Sequence, residues 1–223
     1  LCILSAYAAV RGLRSAGWAL AAGALVALAA LSKQTLGGLL AILLLLAFAR
    51  CVPPGSRLRL LSGYVGGGAA IVCLTLIVFG LRGDLAALFR GLVVLPLLLG
   101  DTFAAPYLNL WPIGDFSEAV RPNARLYLPT LYAHTHGILQ EIDGWIILVA
   151  QALYALPIVA LIATLVARVR GPLNPAVWLH TALVLALFSN LFPRGDWGHL
   201  VFVLPSAFAQ LLLLASGNVS YTH

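Results

Sequence analysis

The chain has 223 residues, of which 62% are hydrophobic, and its mean hydropathy is +1.01. A soluble domain is about 45–50% apolar, so this composition excludes an ordinary soluble protein and predicts a polytopic helical membrane protein. A net charge of +6 would suggest nucleic acid for a soluble protein. In a membrane protein, basic residues near helix ends instead set the topology. We therefore expect the lipid bilayer, and no nucleic acid, as a partner.

The amino-terminal segment and the long apolar run after it predict a helix end followed by a hairpin. "LCILSAYAAV" resembles the end of a helix that starts earlier. We therefore expect residues 1–223 to be a single membrane-embedded domain fragment, the carboxyl-terminal part of a longer protein. The chain is then apolar from Ala16 to Arg50 except at "SKQT" (Ser32 to Thr35). One helix of that length would measure about 52 Å against a hydrocarbon core of ~30 Å, so we predict a hairpin at "SKQT".

A loop and a glycine-rich helix follow the hairpin. The Pro-Pro-Gly sequence inside "RCVPPGSRLR" marks a loop. We predict a helix from Leu60 to Gly80, in which Gly63 and Gly67 are four residues apart. This spacing lets two membrane helices approach closely, and a hinge is the alternative interpretation.

Residues 81–143 differ from the rest because they mix charges, prolines and aromatic residues. We predict a helix lying in the membrane interface from Asp84 to Leu99, followed by a structured extracytoplasmic loop. Within this loop, "AHTHG" puts His134 and His136 on the same side of an extended segment, and Asp115 and Glu118 lie on the same loop. A metal site would use such residues, but two histidines are a weak signal. The three cysteines also lack metal-ligand spacing, so we expect neither a metal nor a cofactor.

Three further membrane helices are predicted in the carboxyl-terminal third, which gives an all-α bundle of about six membrane helices. Pro157 and Pro205 lie inside two of them and should kink them. His180 is expected to be a packed, hydrogen-bonded residue. The predicted helices run from Trp145 to Ala167, from Ala176 to Phe192, and from Trp197 to Ala215.

Alternation of these helices places seven basic residues and no acidic residue on one side of the membrane. The positive-inside rule makes that side cytoplasmic. "SKQT", the long loop and "NLFPRGDWGHL" (residues 190–200) then face the extracytoplasmic side. The seven basic residues are Arg11, Arg14, Arg50, Arg57, Arg59, Arg168 and Arg170.

"NLFPRGDWGHL" concentrates ionisable residues at the outer end of the last helix. Asp196 is a good N-cap for a helix that begins at Trp197, and His199 then lies in the first turn. Arg194 adds a fork of donors suited to phosphate. These groups could form an anion site, or they could be only a helix cap with a local Arg194–Asp196 pair. Lys33, the single lysine of the chain, is either a second cation for the same ligand or a snorkelling side chain.

Two short motifs carry a family resemblance. "ALSKQTLGGLLA" followed by "FPRGDWGHLVFVLPSAF" resembles the GT-C class of membrane glycosyltransferases, and within it glycosyltransferase family 39, the protein-mannosyltransferase and aminoarabinose-transferase-like proteins. The resemblance implies transfer of a sugar from a polyprenyl-phosphate carrier to a lipid, glycan or protein acceptor on the outer face. It also implies that the acidic catalytic residue lies upstream of Leu1, so no catalytic residue is assigned.

The resemblance and the charge pattern together give the candidate substrate-binding set Lys33, Gln34, Arg194, Asp196 and His199. The Ala, Leu and Arg-rich composition favours a bacterial inner membrane, with the active side extracytoplasmic. A transporter or flippase of a lipid-linked sugar is a rival function. It should show basic or polar residues along its membrane helices, and the sequence shows few of them. A non-catalytic membrane subunit that docks a partner through residues 81–143 is a second rival.

Overall fold

A computed structural model describes residues 1–99, 143–192 and 197–216. All regular elements in these ranges are helical, and no strand occurs among them. A 3-10 turn at Pro54–Ser56 precedes α4, and a π-helical turn at Arg90–Val94 joins α5 to α6. The helices are α1 (Cys2–Gly12), α2 (Ala16–Ser32), α3 (Gln34–Cys51), α4 (Arg57–Leu81), α5 (Leu85–Phe89), α6 (Leu95–Leu99), α7 (Asp143–Arg170), α8 (Pro175–Ser189) and α9 (Trp197–Ala215).

The structure confirms the all-helical class within the described ranges, and the length and composition of some helices suggest a membrane protein. Within the described ranges, three helical segments are long and apolar enough to cross a membrane: Gln34–Cys51, Pro54–Leu81 and Ala152–Arg170. Apolar helices shorter than these three segments lie in α1, α2, α8 and α9, and at Leu85–Leu98. The loop predicted after Leu99 lies outside the described residues.

The helices pack in a continuous order around one core. α2 contacts α1, α3 and α4; α3 also contacts α8, and α8 contacts both α7 and α9. The centre of this core contains Phe48, Leu40 and Leu44 of α3, Leu179 and Leu183 of α8, all of which are fully buried or nearly so. Exposed leucines and valines cover the outside of α4 and α7, as expected for helices that would face acyl chains.

Seven arginines share one end of this bundle. The Cys51 thiol at the end of α3 lies 3.9 Å from the Pro175 carbonyl oxygen at the start of α8, and Gly12 at the end of α1 lies beside Phe48 of α3. We call this the basic end; it contains Arg11, Arg14, Arg50, Arg57, Arg59, Arg168 and Arg170. The described residues contain no Asp or Glu there, as alternation of the helices predicted. The opposite end holds the α2–α3 junction, the end of α4 and the start of α9.

Glycines bring α2 and α4 into backbone contact. A Cβ atom at Gly67 would overlap the carbonyl oxygen of Leu20, and one at Gly23 would overlap the carbonyl oxygen of Tyr64. A Cβ at Gly63 would lie 3.2 Å from the Ala16 carbonyl oxygen. The prediction of close packing from the Gly63–Gly67 spacing is therefore confirmed. The two helices run parallel, because contacts rise together from Ala16 toward Gly23 and from Gly63 toward Gly68.

Polar groups join the three carboxyl-terminal helices instead. Gln210 on α9 is fully buried, and its amide nitrogen donates to the hydroxyl oxygens of Thr164 on α7 at 2.9 Å and Thr181 on α8 at 2.8 Å. α8 begins at Pro175 with Asn174 as its cap, whose side-chain oxygen accepts from the Ala176 amide at 2.8 Å. Asn174 thereby satisfies one of the donors left free at the helix start.

Candidate functional site

A single residue, Lys33, separates α2 from α3. Its backbone is extended, with φ −148° and ψ 96°. Its amide donates to the Ala29 carbonyl at 2.8 Å and its carbonyl accepts from the Gly37 amide at 2.8 Å. Lys33 is therefore the last residue of one helix ladder and the first of the next, and its side chain is exposed. The predicted hairpin at "SKQT" is confirmed, with a tighter turn than four residues.

Small side chains around Lys33 make this turn possible. A Cβ atom at Gly37 would overlap the backbone of Ala29 and Ala30, so only glycine lets α3 fold back this closely on α2. The Ser32 hydroxyl donates to the Leu28 carbonyl at 2.8 Å and helps to end α2. Ser32, Lys33 and Gly37 of the "SKQTLGG" motif thus all have a structural role in the hairpin.

The amino-terminal end of α3 provides donors beside the Lys33 side chain. The side chain of the N-cap residue, Lys33, makes no capping hydrogen bond, and no acidic residue lies in the first turn of α3. The first backbone N–H groups of a helix have no partner within the helix and carry the positive end of its dipole. An exposed ammonium group and an uncapped helix start together favour an anion at this position. The same ammonium also complements the carboxyl-terminal end of α2, which is its structural role.

Gln34 connects the junction to the segment that follows α4. Its side-chain nitrogen lies 3.5 Å from the carbonyl oxygen of Gly91, 57 residues further along the chain. Gly91 belongs to the π-helical turn at Arg90–Val94, a type of distortion that is frequent at functional sites. The contact places the turn at Gly91 next to Gln34, at the opposite end of the bundle.

The remaining predicted site residues fall at or near the start of α9. His199 lies in the first turn of that helix, where it was predicted, and is half-buried. Arg194 and the predicted N-cap Asp196 lie outside the described residues, as do His134, His136, Asp115 and Glu118. The structure thus brings Lys33 and Gln34 together with the Gly91 turn. Over the ranges that the structure covers, no group of three His, Cys, Asp or Glu side chains could hold a metal ion.

One polar feature was not found by sequence reasoning. The Gln210 network crosses α7, α8 and α9, and the Gln210 carbonyl oxygen Oε1 has no hydrogen-bond partner. Both threonine hydroxyls already donate to their own helices, Thr164 to Ala160 at 2.8 Å and Thr181 to Val177 at 2.6 Å. The available signal was Gln210 itself, an amide inside the apolar run "AFAQLLLLA".

His180 forms a second polar contact between α8 and α9. Its Nε2 lies 2.9 Å from the Ser206 carbonyl oxygen, so a protonated Nε2 donates to that carbonyl. The prediction that His180 is packed and hydrogen-bonded is confirmed.

No protein-family model, curated protein or solved structure matches this chain at a significant level.

Proposed function

We propose that this chain is the membrane-embedded carboxyl-terminal part of a GT-C-like glycosyltransferase. The enzyme would move a sugar from a polyprenyl-phosphate carrier to a glycan, lipid or protein acceptor. One observation carries the proposal: the exposed Lys33 ammonium lies at the uncapped start of α3, between two apolar helices. Such a position suits a phosphate whose prenyl chain remains in the bilayer.

The chemistry of the carrier explains why cations are needed at this depth. A charged side chain at the centre of a membrane helix costs roughly 2.5–3.5 kcal/mol on insertion scales, and less near the ends. Lys33 is retained in an apolar hairpin despite this cost. A bound phosphate would offset the cost, and it would be stabilised further by the free N–H groups of α3. In transfer, the same cation would stabilise the leaving phosphate.

The other candidate residues complete the proposed site. Arg194 supplies the planar fork that binds two phosphate oxygens, Asp196 caps α9 and orients Arg194, and His199 lines the pocket. Gln34 holds the π-helical turn at Gly91 near the phosphate. The catalytic carboxylate belongs to the upstream part of the protein, in line with the family resemblance.

Topology and location follow from the charge distribution. We infer six membrane helices: α2, α3, α4, α7, α8 and α9. The arginine-rich basic end is cytoplasmic by the positive-inside rule, which puts Lys33 at the extracytoplasmic face. We infer the inner membrane of a bacterium, and the residues after Leu99 as an extracytoplasmic loop.

Substitution of Lys33 tests the proposal in the full-length protein. A charged hydrogen bond is worth roughly 1.5–3 kcal/mol, so Lys33→Ala should weaken binding of a polyprenyl-phosphate sugar by about 10- to 150-fold. Sugar transfer should fall in parallel. Arg194→Ala should have a similar effect, and Arg194→Lys should also be impaired because it loses the fork.

Arg82→Ala is the matched control, since Arg82 is an exposed cation at the same end of the bundle, just after α4. It should leave donor binding unchanged. Wild-type donor affinity and turnover in folded Lys33→Ala and Arg194→Ala proteins would overturn the proposal. Donor binding without transfer by the full-length wild type would indicate the non-catalytic subunit instead.

A transporter of a lipid-linked sugar is the second candidate, and the Gln210 network favours it. A transporter needs polar groups along its membrane helices, and Gln210, Thr164 and Thr181 provide a buried set across three helices. Reconstituted protein separates the two functions. Movement of the donor lipid between leaflets without an acceptor would support transport, whereas sugar transfer to an acceptor without such movement supports the enzyme.

A further inference from the structure

A groove lies between α1, α8 and α9. Its volume is about 290 Å³ and it is open on one side. Its wall is apolar apart from a few groups, and the polar pair inside it, the His180 ring and the Ser206 carbonyl, is joined by the 2.9 Å contact. The groove wall includes Tyr7, Val10, Ala176, Leu183, Ala209 and Leu213.

The groove occupies only the half of the bundle next to the basic end. On α8 its wall runs from Ala176 to Leu183, and on α9 from Pro205 to Leu213. Each stretch of eight or nine residues rises about 10–12 Å along a helix, less than half of a hydrocarbon core of ~30 Å. Beyond Leu183, both helices place buried residues in the hydrophobic core, Leu187 on α8 and Leu200 on α9. A groove that starts at the surface and ends near mid-membrane has the depth of one leaflet.

A cation lies beside the mouth of the groove. The Arg11 Nε donates to the Tyr7 hydroxyl at 3.1 Å, and the guanidinium carbon lies 5.7 Å from the centre of the Tyr7 ring. Tyr7 itself is part of the groove wall. The Arg11 side chain is exposed, and the described part of the basic end has no carboxylate to compete for it. The guanidinium uses Nε for the Tyr7 hydroxyl and can direct its terminal N–H groups to an anion at the end of the helix.

We propose that this groove binds one acyl chain of an anionic phospholipid, with the headgroup phosphate held by Arg11. The apolar wall fits the chain, the depth fits one leaflet, and the arginine fits the phosphate. A helix from a second copy is the competing occupant. It would cover a stripe along the full length of α8 and α9, whereas the groove covers only their halves at the basic end. The proposal is independent of the glycosyltransferase proposal, which concerns the opposite end of the bundle.

Lipid binding to the purified full-length protein tests this inference. The probes are phosphatidylglycerol and phosphatidylcholine with identical acyl chains, and bound lipid is counted by native mass spectrometry. Phosphatidylglycerol should bind about fivefold more tightly, because one arginine near an anionic surface is worth about 1 kcal/mol. Arg11→Gln should abolish this preference. Arg14→Gln is the matched control, since Arg14 is exposed at the same end, and should keep the preference.

Two further variants test the chain-binding part. Ala209→Leu fills the groove wall and should reduce binding of both lipids at least fivefold, while Ala70→Leu on the exposed side of α4 should not. Leu213→Trp blocks the mouth from a partly exposed position and should also reduce binding of both lipids at least fivefold. It provides the test if Ala209→Leu fails to fold. Glycerol phosphate, which lacks acyl chains, should not compete with bound lipid. An unchanged lipid preference in Arg11→Gln, competition by glycerol phosphate, or loss of a dimer rather than of lipid in Leu213→Trp would each overturn the proposal.

Discussion

The two halves of the bundle are held together by different forces. In α1–α4, glycine and alanine let backbones touch, as at Gly23 and Gly67 between α2 and α4. In α7–α9, side chains form hydrogen bonds across helices, as at Gln210 and His180. Both halves have similar hydropathy, so the average composition does not reveal this difference.

The contrast concerns the interactions that hold helices together where the hydrophobic effect does not drive their association. Lipid tails are as apolar as leucine, so helices in a bilayer associate through close van der Waals packing and interhelical hydrogen bonds. Close packing depends on shape and fails when one carbon is added. A hydrogen bond between membrane helices is worth about 0.6 kcal/mol on average, so losing one costs little. The amino-terminal half should therefore be the more sensitive to substitution.

Gly67→Ala should give the largest loss of stability. The added Cβ meets the backbone of Leu20, which can move only if the helices separate. Overpacking of this kind costs about 1–3 kcal/mol. The measurement is the free energy of unfolding in mixed micelles.

Gly66→Ala is the control on the same helix, because a Cβ there has open space around it. It should be neutral or up to about 1 kcal/mol more stable, since alanine is the better helix former. Equal stability of the Gly67→Ala and Gly66→Ala proteins would remove the proposed basis of packing in the amino-terminal half.

Gln210→Leu should cost less than about 1 kcal/mol. It removes two interhelical hydrogen bonds, worth about 0.6 kcal/mol each, but it also removes the unpaired Oε1 atom. The two threonine hydroxyls keep their bonds to their own helices. A double-mutant cycle with Thr164→Val in the same unfolding assay isolates the pair energy. A loss above about 3 kcal/mol would show that the network, and not packing, holds α7–α9 together.

Tyr64→Phe should have the smallest effect, about 0.6 kcal/mol or less. It removes the 3.1 Å hydrogen bond from the Tyr64 hydroxyl to the Ala41 carbonyl and keeps the ring stacked on Phe48. The free energies of unfolding of the Tyr64→Phe and Gln210→Leu proteins are compared, to test whether hydrogen bonds matter less in the amino-terminal half. If Tyr64→Phe is the more destabilising of the two, hydrogen bonding also dominates the amino-terminal half.

Hydropathy predicted where the helices lie but not which of them touch. The hairpin at Lys33 and the helix Trp197–Ala215 were predicted correctly, because a charge or a turn marks their ends. The predicted Leu60–Gly80 helix begins earlier, at Arg57, since exposed arginines extend it beyond the apolar run. The last residues predicted for α8 form a turn after Ser189. Whether Pro157 and Pro205 kink their helices stays a prediction.

The candidate site was only partly predictable, because the sequence does not show which segments touch each other. Lys33 stood out as the single lysine in an apolar hairpin. The uncapped start of α3 beside it depends on a turn of one residue, which requires the contact of Gly37 with Ala29. The contact between Gln34 and Gly91 joins residues 57 positions apart, and a one-dimensional pattern contains no record of such a neighbour. The roles of Arg194 and Asp196 stay predictions.

The parallel packing of α2 on α4 has a consequence for biosynthesis. Two parallel neighbours must be joined by a third helix, so Gly23 is synthesised 41 residues before its partner Tyr64. At about 5–20 residues per second, this separation lasts roughly 2–8 seconds. During that interval the glycine face of α2 has no partner from α4, while α3 can already fold back on α2 through Gly37. The hairpin of α2 and α3 can therefore form before α4 is synthesised, and α4 then packs on the glycine face of α2.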